Sequence, residues 1–255
     1  MIEQWPALLS GKGGMVLATL LVFMAAERAF PVARWVGGLT RVLRNLAVAG
    51  CNLFIGPLIV IPITLFAASH APLWRPEIWS GWPGLLVDLL LLDLWIYWWH
   101  RANHVVPLLW RFHAVHHLDE TLDATSALRF HFGEVALSAV ARAMLVLVLA
   151  IPVSSVLVFE MLLVFVTMFH HSNLRLPRGM ERALSLIIVT PSIHWVHHHA
   201  QRADTDSSYA TVLSVWDRMF ASRSSTVRDA AMPIGIEGMR DRPLLKLLAW
   251  PFFHS

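Results

Sequence analysis

Three clusters of histidines carry the chemistry that this 255-residue sequence offers. The first is a pair spaced four residues apart, and the second and third each read HxxHH. On a helix, residues at i, i+3 and i+4 lie near one face, so each cluster is expected to direct two or three imidazoles the same way. Neutral imidazole is a ligand for iron, zinc and copper. The pattern predicts a metal site built from His100 and His104, then His113, His116 and His117, then His194, His197 and His198.

The number of imidazoles predicts two metals, because one ion binds only about four to six ligands. His170 and His171 end an apolar run, and one of them is expected to complete the site. His131 stands in the stretch RFHFGE, beside Arg129 and Glu134. Residues of this stretch are candidates for a further ligand or for groups that hold a ligand in place.

Other kinds of metal site are disfavoured by what the sequence contains. Cys51 is the single cysteine, so the sequence offers no internal disulfide and no cysteine-ligated zinc or iron–sulfur site. The zinc-protease motif HExxH does not occur. Few carboxylates lie between the histidine clusters, unlike the arrangement in carboxylate di-iron bundles. The predicted metals are therefore held mainly by nitrogen.

Three aspartates are candidates for supporting the ligands. Asp93 precedes His100 by two helical turns, and a buried carboxylate there suits the second N–H of a ligating imidazole. The alternative is that Asp93 pairs locally with Arg101. Asp206 and Asp217 follow the last cluster and either support it or serve packing alone.

The composition predicts an integral membrane protein. Hydrophobic residues make up 56% of the chain and charged residues 15%, whereas soluble domains carry about 25% charged residues. We expect an all-α fold with four to five membrane-embedded helices and a cytosolic helical cap that holds the dimetal site. The apolar runs are 13–30, 46–69, 84–99, 135–154 and 156–169, and Pro57 and Pro62 predict kinks in the second.

The arginines predict the orientation of the chain. Arg28, Arg34, Arg41 and Arg44 crowd the connection after the first apolar run, and further arginines surround the histidines. By the positive-inside rule, the N-terminus lies outside and the metal site lies on the cytoplasmic face. Because the basic residues follow the ends of apolar runs, the net charge of +3 does not predict a nucleic-acid partner.

The order of the polar motifs resembles one family of membrane enzymes. HRANH, HAVHH, RFHFGE, HSN, TPSIHWVHH and WDRMF occur in the order typical of the fatty acid hydroxylase/sterol desaturase superfamily, over about residues 93–220. The resemblance implies that the eight histidines of the three clusters are metal ligands. It favours His171 over His170, and it adds Asn173 of the HSN motif as a supporting candidate. The sequence departs from the usual motifs of the superfamily at two places, Tyr209-Ala210 and Ala221-Ser222. These departures affect the expected local turn and the rim of the substrate site, and they lie outside the histidine clusters.

The resemblance also implies the reaction. Such proteins are membrane-embedded, non-haem di-iron enzymes that use O2 and two external electrons on lipid C–H bonds. We therefore expect hydroxylation or desaturation of a membrane lipid, with electrons from a separate protein, and zinc able to replace iron. The alternatives are a histidine-rich membrane metal-binding or transport protein and a bis-histidine haem protein. The expected divisions are N-terminal transmembrane helices at 1–82, a catalytic region at 83–222 and a cytosolic tail at 223–255, within one compact domain. His70 and His254 are expected at the surface.

Overall fold

The computed structural model describes residues 5–72 and 74–253, with side chains from residue 13 onward. Across these ranges the chain is all-helical, with isolated β-bridges but no strand, which confirms the predicted fold class. His70 is exposed, as expected, and His254 lies outside the described residues. The helices are α1 Trp5–Ala29, α2 Gly38–Ile55, α3 Ile61–Ser69, α4 Gly81–Val105, α5 Pro107–His117, α6 Phe132–Leu149, α7 Val153–His171, α8 Arg178–Leu184, α9 Pro191–His197, α10 Arg202–Thr205, α11 Val215–Met219 and α12 Leu244–Phe253.

Within the described residues, four helical stretches are long and apolar enough to cross a membrane. Their most apolar windows are only 6% to 33% buried inside the protein. Leu53 and Leu58, for example, are 77% and 71% exposed. Such contiguous apolar surface suits lipid rather than water. The stretches are Gly38–Ser69, Gly81–Val105, Phe132–Leu149 and Val153–His171, in keeping with a multi-pass membrane protein.

The first of these stretches is irregular at Pro57, whereas Pro62 lies in the first turn of the regular helix α3. A single π-helical turn, Gly56–Val60, joins α2 to α3 and contains Pro57. Proline lacks the N–H that a regular helix needs, so the hydrogen-bond ladder is interrupted there. The predicted distortion at Pro57 is therefore present within a helix that continues to Ser69.

Helix α4 is longer than the apolar run at 84–99 predicts. It continues to Val105 and so carries His100 and His104 on its last turns. Pro107 then begins α5, and Val106 between the helices is extended, as expected for a residue that precedes proline. The sharp break turns the second histidine cluster back toward the first.

The C-terminal segment packs against the earlier helices. Leu247 and Trp250 of α12 lie in a hydrophobic core with Val48 of α2 and Val115 of α5. The described part of 223–255 is thus in direct contact with elements from both preceding segments. The divisions after residues 82 and 222 stay predictions.

Buried ion pairs fix α2 against the segment that follows α5. Arg41 is 4% exposed and binds Asp119 at 2.6 Å and Asp123 at 2.5 Å. Asp123 also caps the 3-10 turn Ala124–Leu128 by accepting a hydrogen bond from the Thr125 amide. The arginine-rich first connection therefore lies beside the end of the second histidine cluster, on the same side of the protein.

Candidate metal centre

Nine histidines converge into two buried groups. Within each group, one nitrogen from every member lies within 4.8 Å of the others. We call them the five-histidine group and the four-histidine group. The first contains His100, His104, His113, His117 and His197, and the second contains His116, His171, His194 and His198.

Each HxxHH motif is divided between the two groups, with two of its three members in one group and the third in the other. His113 and His117 belong to the five-histidine group, but His116 belongs to the other. Residues at i and i+4 differ by only about 40° around a helix, whereas i+3 and i+4 differ by about 100°. The adjacent histidines therefore face different centres, and each motif bridges both groups.

The four-histidine group has the geometry of a ligand set. The Nε2 atom of His171 lies 3.0 Å from Nε2 of His116 and 3.0 Å from Nε2 of His194. The Nε2 atoms of His194 and His198 are 3.1 Å apart. Adjacent ligands at right angles on a metal, each bonded at about 2.1 Å, are separated by about 3.0 Å. The spacing fits one ion.

Protonation gives a second reason to place a cation in the four-histidine group. His171 Nδ1 lies 2.7 Å from the Thr167 carbonyl oxygen, which can only accept a hydrogen bond. A neutral imidazole has one N–H, so His171 Nε2 presents a lone pair to its neighbours. Burial and nearby imidazoles lower the pKa of His116, His194 and His198 well below the usual value. Neutral imidazoles with converging lone pairs are suited to bind a metal.

The five-histidine group is held from outside by hydrogen bonds to Nδ1. His100 donates to the Tyr209 carbonyl at 2.8 Å, and His197 donates to the Ser207 carbonyl at 2.7 Å. His113 Nδ1 lies 2.8 Å from the Glu134 carboxylate. These bonds fix the tautomer and turn Nε2 inward, as in many metal sites.

The inward-facing nitrogens of this group otherwise lack partners. Among the described residues, the Nε2 atoms of His104, His113, His117 and His197 are buried without a hydrogen bond. Burial lowers the pKa of His197 to about 3, so it is neutral at physiological pH. Buried polar atoms are normally satisfied, and a metal would satisfy all four at once. The donor set therefore fits a second ion.

Of the supporting candidates, Glu134 contacts a clustered histidine most directly. Its Oε1 atom also accepts a hydrogen bond from Asn103 at 3.1 Å. Asp206 lies 3.5 Å from His104 Nδ1, but it is 35% exposed and binds Arg202 more closely, at 2.5 Å. Glu134 is thus the stronger of the two contacts.

Asp93 contacts neither His100 nor Arg101, and both expectations for it are wrong. Its carboxylate accepts hydrogen bonds from the amides of Val212 and Leu213 and from the Trp216 indole, at 2.7 to 3.2 Å. The side chain is turned toward a C-terminal loop rather than toward the metal groups. Asp93 therefore anchors that loop to α4.

His131 and Arg129 are not part of the histidine groups either. His131 caps α6 through Nδ1, which accepts from the Gly133 amide at 3.0 Å, while Nε2 donates to the Leu248 carbonyl at 3.0 Å. Both ring nitrogens are used, so none is left for a metal. Arg129 is fully buried and pairs with Asp241. These two residues hold the C-terminal segment in place.

The remaining candidates lie near the site without joining either group. Asn173 binds the backbone of Val32 and Ala33 through its amide group and so secures the segment after α1. His170 packs on His194, with ring centroids 4.0 Å apart, but it is outside both groups. Asp217 accepts from the Ala210 amide, next to the carbonyl that orients His100.

Sequence reasoning missed the acceptors that orient His100, His171 and His197. All three acceptors are backbone carbonyls. Because every residue has one, the residue types in the sequence do not indicate which carbonyl will accept the hydrogen bond. The sequence also gave no reason to single out Trp110, whose ring centroid lies 5.1 Å from that of His104 and 5.4 Å from that of His117. Arg202 covers the Trp110 ring at 4.9 Å.

A cavity of about 320 Å³ adjoins both groups. Its walls come from α4, α5, α6, α7 and α9, and apart from the histidines it is lined mainly by apolar side chains such as Ile96, Leu163 and Val164. The histidines that reach it are His100, His113, His116, His170, His171 and His194. An apolar space beside a buried metal site can hold part of a hydrocarbon molecule.

Comparisons with known proteins agree with this geometry. Residues 85–222 match the family model described as fatty acid hydroxylase. The chain is 28% identical to ornithine lipid hydroxylase OlsE of Rhizobium tropici over 196 residues, which is 77% of this chain and 58% of that protein. It is 34% identical to alkylglycerol monooxygenase of Danio rerio over 145 residues, 56% of this chain and 30% of that protein.

A third relative is cholesterol 25-hydroxylase of Mus musculus, at 26% identity over 189 residues, 72% of this chain and 61% of that protein. The chain thus spans less than two thirds of the length of each of these three relatives. No solved structure gives a significant match. The family match covers more than half of the sequence and contains all nine grouped histidines. The chain therefore belongs to the fatty acid hydroxylase family.

Proposed function

We propose that this protein is an O2-dependent di-iron oxidoreductase that hydroxylates a C–H bond of a membrane lipid. The observation that carries the proposal is the pair of buried histidine groups beside an apolar cavity formed by membrane-length helices. The named relatives, which are lipid and sterol hydroxylases or monooxygenases, support the choice of reaction. Hydroxylation is preferred over desaturation because of those names.

The residues that would hold the two irons are the members of the two groups, and His171 rather than His170 would be a ligand. When bound, the irons supply the reactivity toward O2 and an unactivated C–H bond that amino-acid side chains lack. Glu134 keeps His113 in one tautomer with its Nε2 lone pair facing inward. Zinc can occupy the same nitrogen sites, so zinc in a purified sample is compatible with the proposal.

The protein itself positions the lipid and excludes water. Ile96, Leu163 and Val164 give the cavity an apolar wall on which an alkyl chain can lie. The histidines at its end are at most 9% exposed. A carbon of the chain would thus be presented in a space that admits little water.

We further propose that electrons come from a separate donor protein on the cytoplasmic face. Trp110 is partly buried and contacts both His104 and His117, so it offers a short route from the surface to the five-histidine group. The positive-inside distribution of arginines supports the cytoplasmic orientation.

The arrangement gives no support to a metal carrier, for which histidines should line a path through several spans. Here they gather at the ends of α4 and α7 and on α5 and α9. A bis-histidine haem protein would place its histidines in facing pairs in the middle of spans. A Soret band in the purified protein would support that rival and contradict the di-iron proposal.

The test combines metal analysis with lipid analysis. Purified protein is expected to contain two metal ions per chain, and expressing cells are expected to accumulate a lipid that has gained one oxygen atom. The His116→Ala variant should lose both metal and product. Product formation that persists in this variant and still depends on O2 would refute the proposal.

A further inference from the structure

A buried ion pair lies within the membrane-length helices, away from the histidine groups. Arg142 of α6 and Glu160 of α7 are joined at 2.7 Å, and their side chains are 9% and 15% exposed. Both residues line the same cavity as His116, His171 and His194. Ionisable side chains inside membrane segments are costly and generally functional.

The pair is set at a defined distance from the metal centre. Glu160 precedes His171 by eleven residues on α7, which corresponds to about 16 Å along the helix axis. Thr167 and Leu163 lie between them at helical spacing and also line the cavity. One face of α7 therefore runs from the histidines to the ion pair.

Arg142 has a hydrogen-bond donor to spare. Its Nη2 atom is engaged with Glu160, but its Nε atom is buried with no hydrogen-bond partner among the residues that the structure describes. An unsatisfied donor of this kind is rare in a folded protein and calls for a ligand. Since the arginine faces the cavity, an oxygen atom of a molecule in that cavity can accept from it.

The charge balance defines the chemistry of that oxygen. The carboxylate of Glu160 already neutralises the guanidinium of Arg142, so the pair has no net charge. A second carboxylate or a phosphate would add an uncompensated negative charge in a low-dielectric region. A hydroxyl or carbonyl oxygen fits this environment.

The substrate has room to continue beyond the pair. Glu160 also lines an apolar groove of about 520 Å³, formed by α1, α2, α3 and α7. Leu20, Leu53 and Leu157 are among its walls. The groove and the metal cavity thus share Glu160 as a wall residue, so the ion pair lies between the metal centre and a space with room for the rest of a lipid.

We propose that Arg142, held by Glu160, binds an uncharged hydroxyl or carbonyl oxygen of the lipid substrate and thereby sets which carbon reaches the metal centre. Only the second part of this inference, the choice of the carbon that reaches the metal centre, rests on the proposed function. Binding of the oxygen can be measured without turnover. Replacing a buried ion pair by apolar residues is often neutral for stability. If the pair had only a structural role, its replacement would therefore leave the folded protein and its ligand preference unchanged.

The test measures binding of three radiolabelled probes to the metal-loaded full chain in nanodiscs, without an electron donor. The probes are hexadecane, 1-hexadecanol and hexadecanoate. Wild-type protein is expected to bind the alcohol at least about tenfold more tightly than the hydrocarbon. The double variant Arg142→Met/Glu160→Leu removes both charges together and is expected to reduce this preference to about twofold or less.

A matched control is the ion pair of Arg75 and Asp88, which is joined at 2.8 Å but lines a different cavity. Arg75→Met/Asp88→Leu should keep the wild-type preference. Equal binding of alcohol and hydrocarbon by wild type, tightest binding of hexadecanoate, or an unchanged preference in the Arg142/Glu160 variant would each overturn the inference. If wild type prefers the alcohol but never oxygenates a lipid, the proposed function fails and the binding site stands.

Discussion

The two histidine groups differ in how firmly the protein orients their ligands. In the five-histidine group, three rings donate or bind through Nδ1 to partners outside the group, namely Tyr209, Glu134 and Ser207. In the four-histidine group only His171 has such a partner, the Thr167 carbonyl. Among the described residues, the Nδ1 atoms of the other three members are buried without a hydrogen bond, as are those of His104 and His117 in the five-histidine group.

The difference predicts a division of roles between the two proposed ions. Fixed imidazoles bind a metal more tightly, because less freedom is lost on binding. The less restrained group includes His116, His171 and His194, which line the cavity. Looser ligands next to the cavity can adjust during a reaction, whereas in the five-histidine group only His100 and His113 reach the cavity, and His104 and His117 pack against Trp110.

The largest expected effect comes from removing one ligand of each group. His194→Ala should release the ion of the four-histidine group, and His197→Ala should release the ion of the five-histidine group. Turnover should fall to background in both, because the reaction is proposed to need both ions. Metal content and lipid product are measured together, with the exposed His70→Ala as the control. If either variant kept full activity with one ion per chain, the proposal that the two groups both serve the reaction would be wrong.

A smaller effect is expected from the carboxylate that holds His113. Glu134→Gln keeps the shape of the side chain but weakens its bond to His113 Nδ1. Metal affinity of the five-histidine group should fall about 10- to 100-fold, as measured by chelator titration. Glu120→Gln, at an exposed residue that pairs with Arg240, is the control. An unchanged affinity would mean that Glu134 does not orient the ligand.

Stepwise removal of metal compares the groups directly in the wild-type protein. A chelator should remove the ion of the four-histidine group first, and the ion of the five-histidine group about tenfold more slowly. Metal analysis at timed intervals should then show a plateau near one ion per chain. Simultaneous loss of both ions would contradict the difference in ligand restraint.

The smallest effect is expected at Asp206. Its contact with His104 is long, and its carboxylate is partly exposed. Asp206→Asn should therefore change metal affinity by no more than about fivefold, since exposed ion pairs contribute at most about 1 kcal/mol. The same chelator titration measures it. A loss as large as that of Glu134→Gln would place Asp206 among the residues that orient ligands.

Much of the site could be predicted from the sequence, since histidine spacing restricts both the ligand type and the helices that carry it. His116 and His197 each belong to a different group from the other two histidines of their HxxHH motif. This assignment also follows from the angles between residues on a helix, once two groups are assumed. Four of the five apolar runs predicted membrane-length stretches in the same way, because membrane length and helix rise are fixed, whereas the run at 13–30 lies in α1, which is not among the four.

Contacts between distant segments could not be predicted. Asp93 and Asn173 were expected near the histidines, but each binds backbone amides more than a hundred residues away. Arg129 was expected near the site, but its partner Asp241 lies 112 residues away in the chain. Periodicity is a local property, whereas these pairings depend on how the helices pack.

The Asp93 anchor also has a consequence for the order of assembly. The chain is made from its N-terminus, so α4 is complete long before Val212, the first of the anchoring residues, is synthesised. Until then a carboxylate in a membrane-length helix lacks the donors that offset its burial. The segment at 212–216 supplies those donors only after His194, His197 and His198 have also been made. The fixing of α4 through Asp93 is therefore a late step of biosynthesis, completed by a segment that contains no histidine.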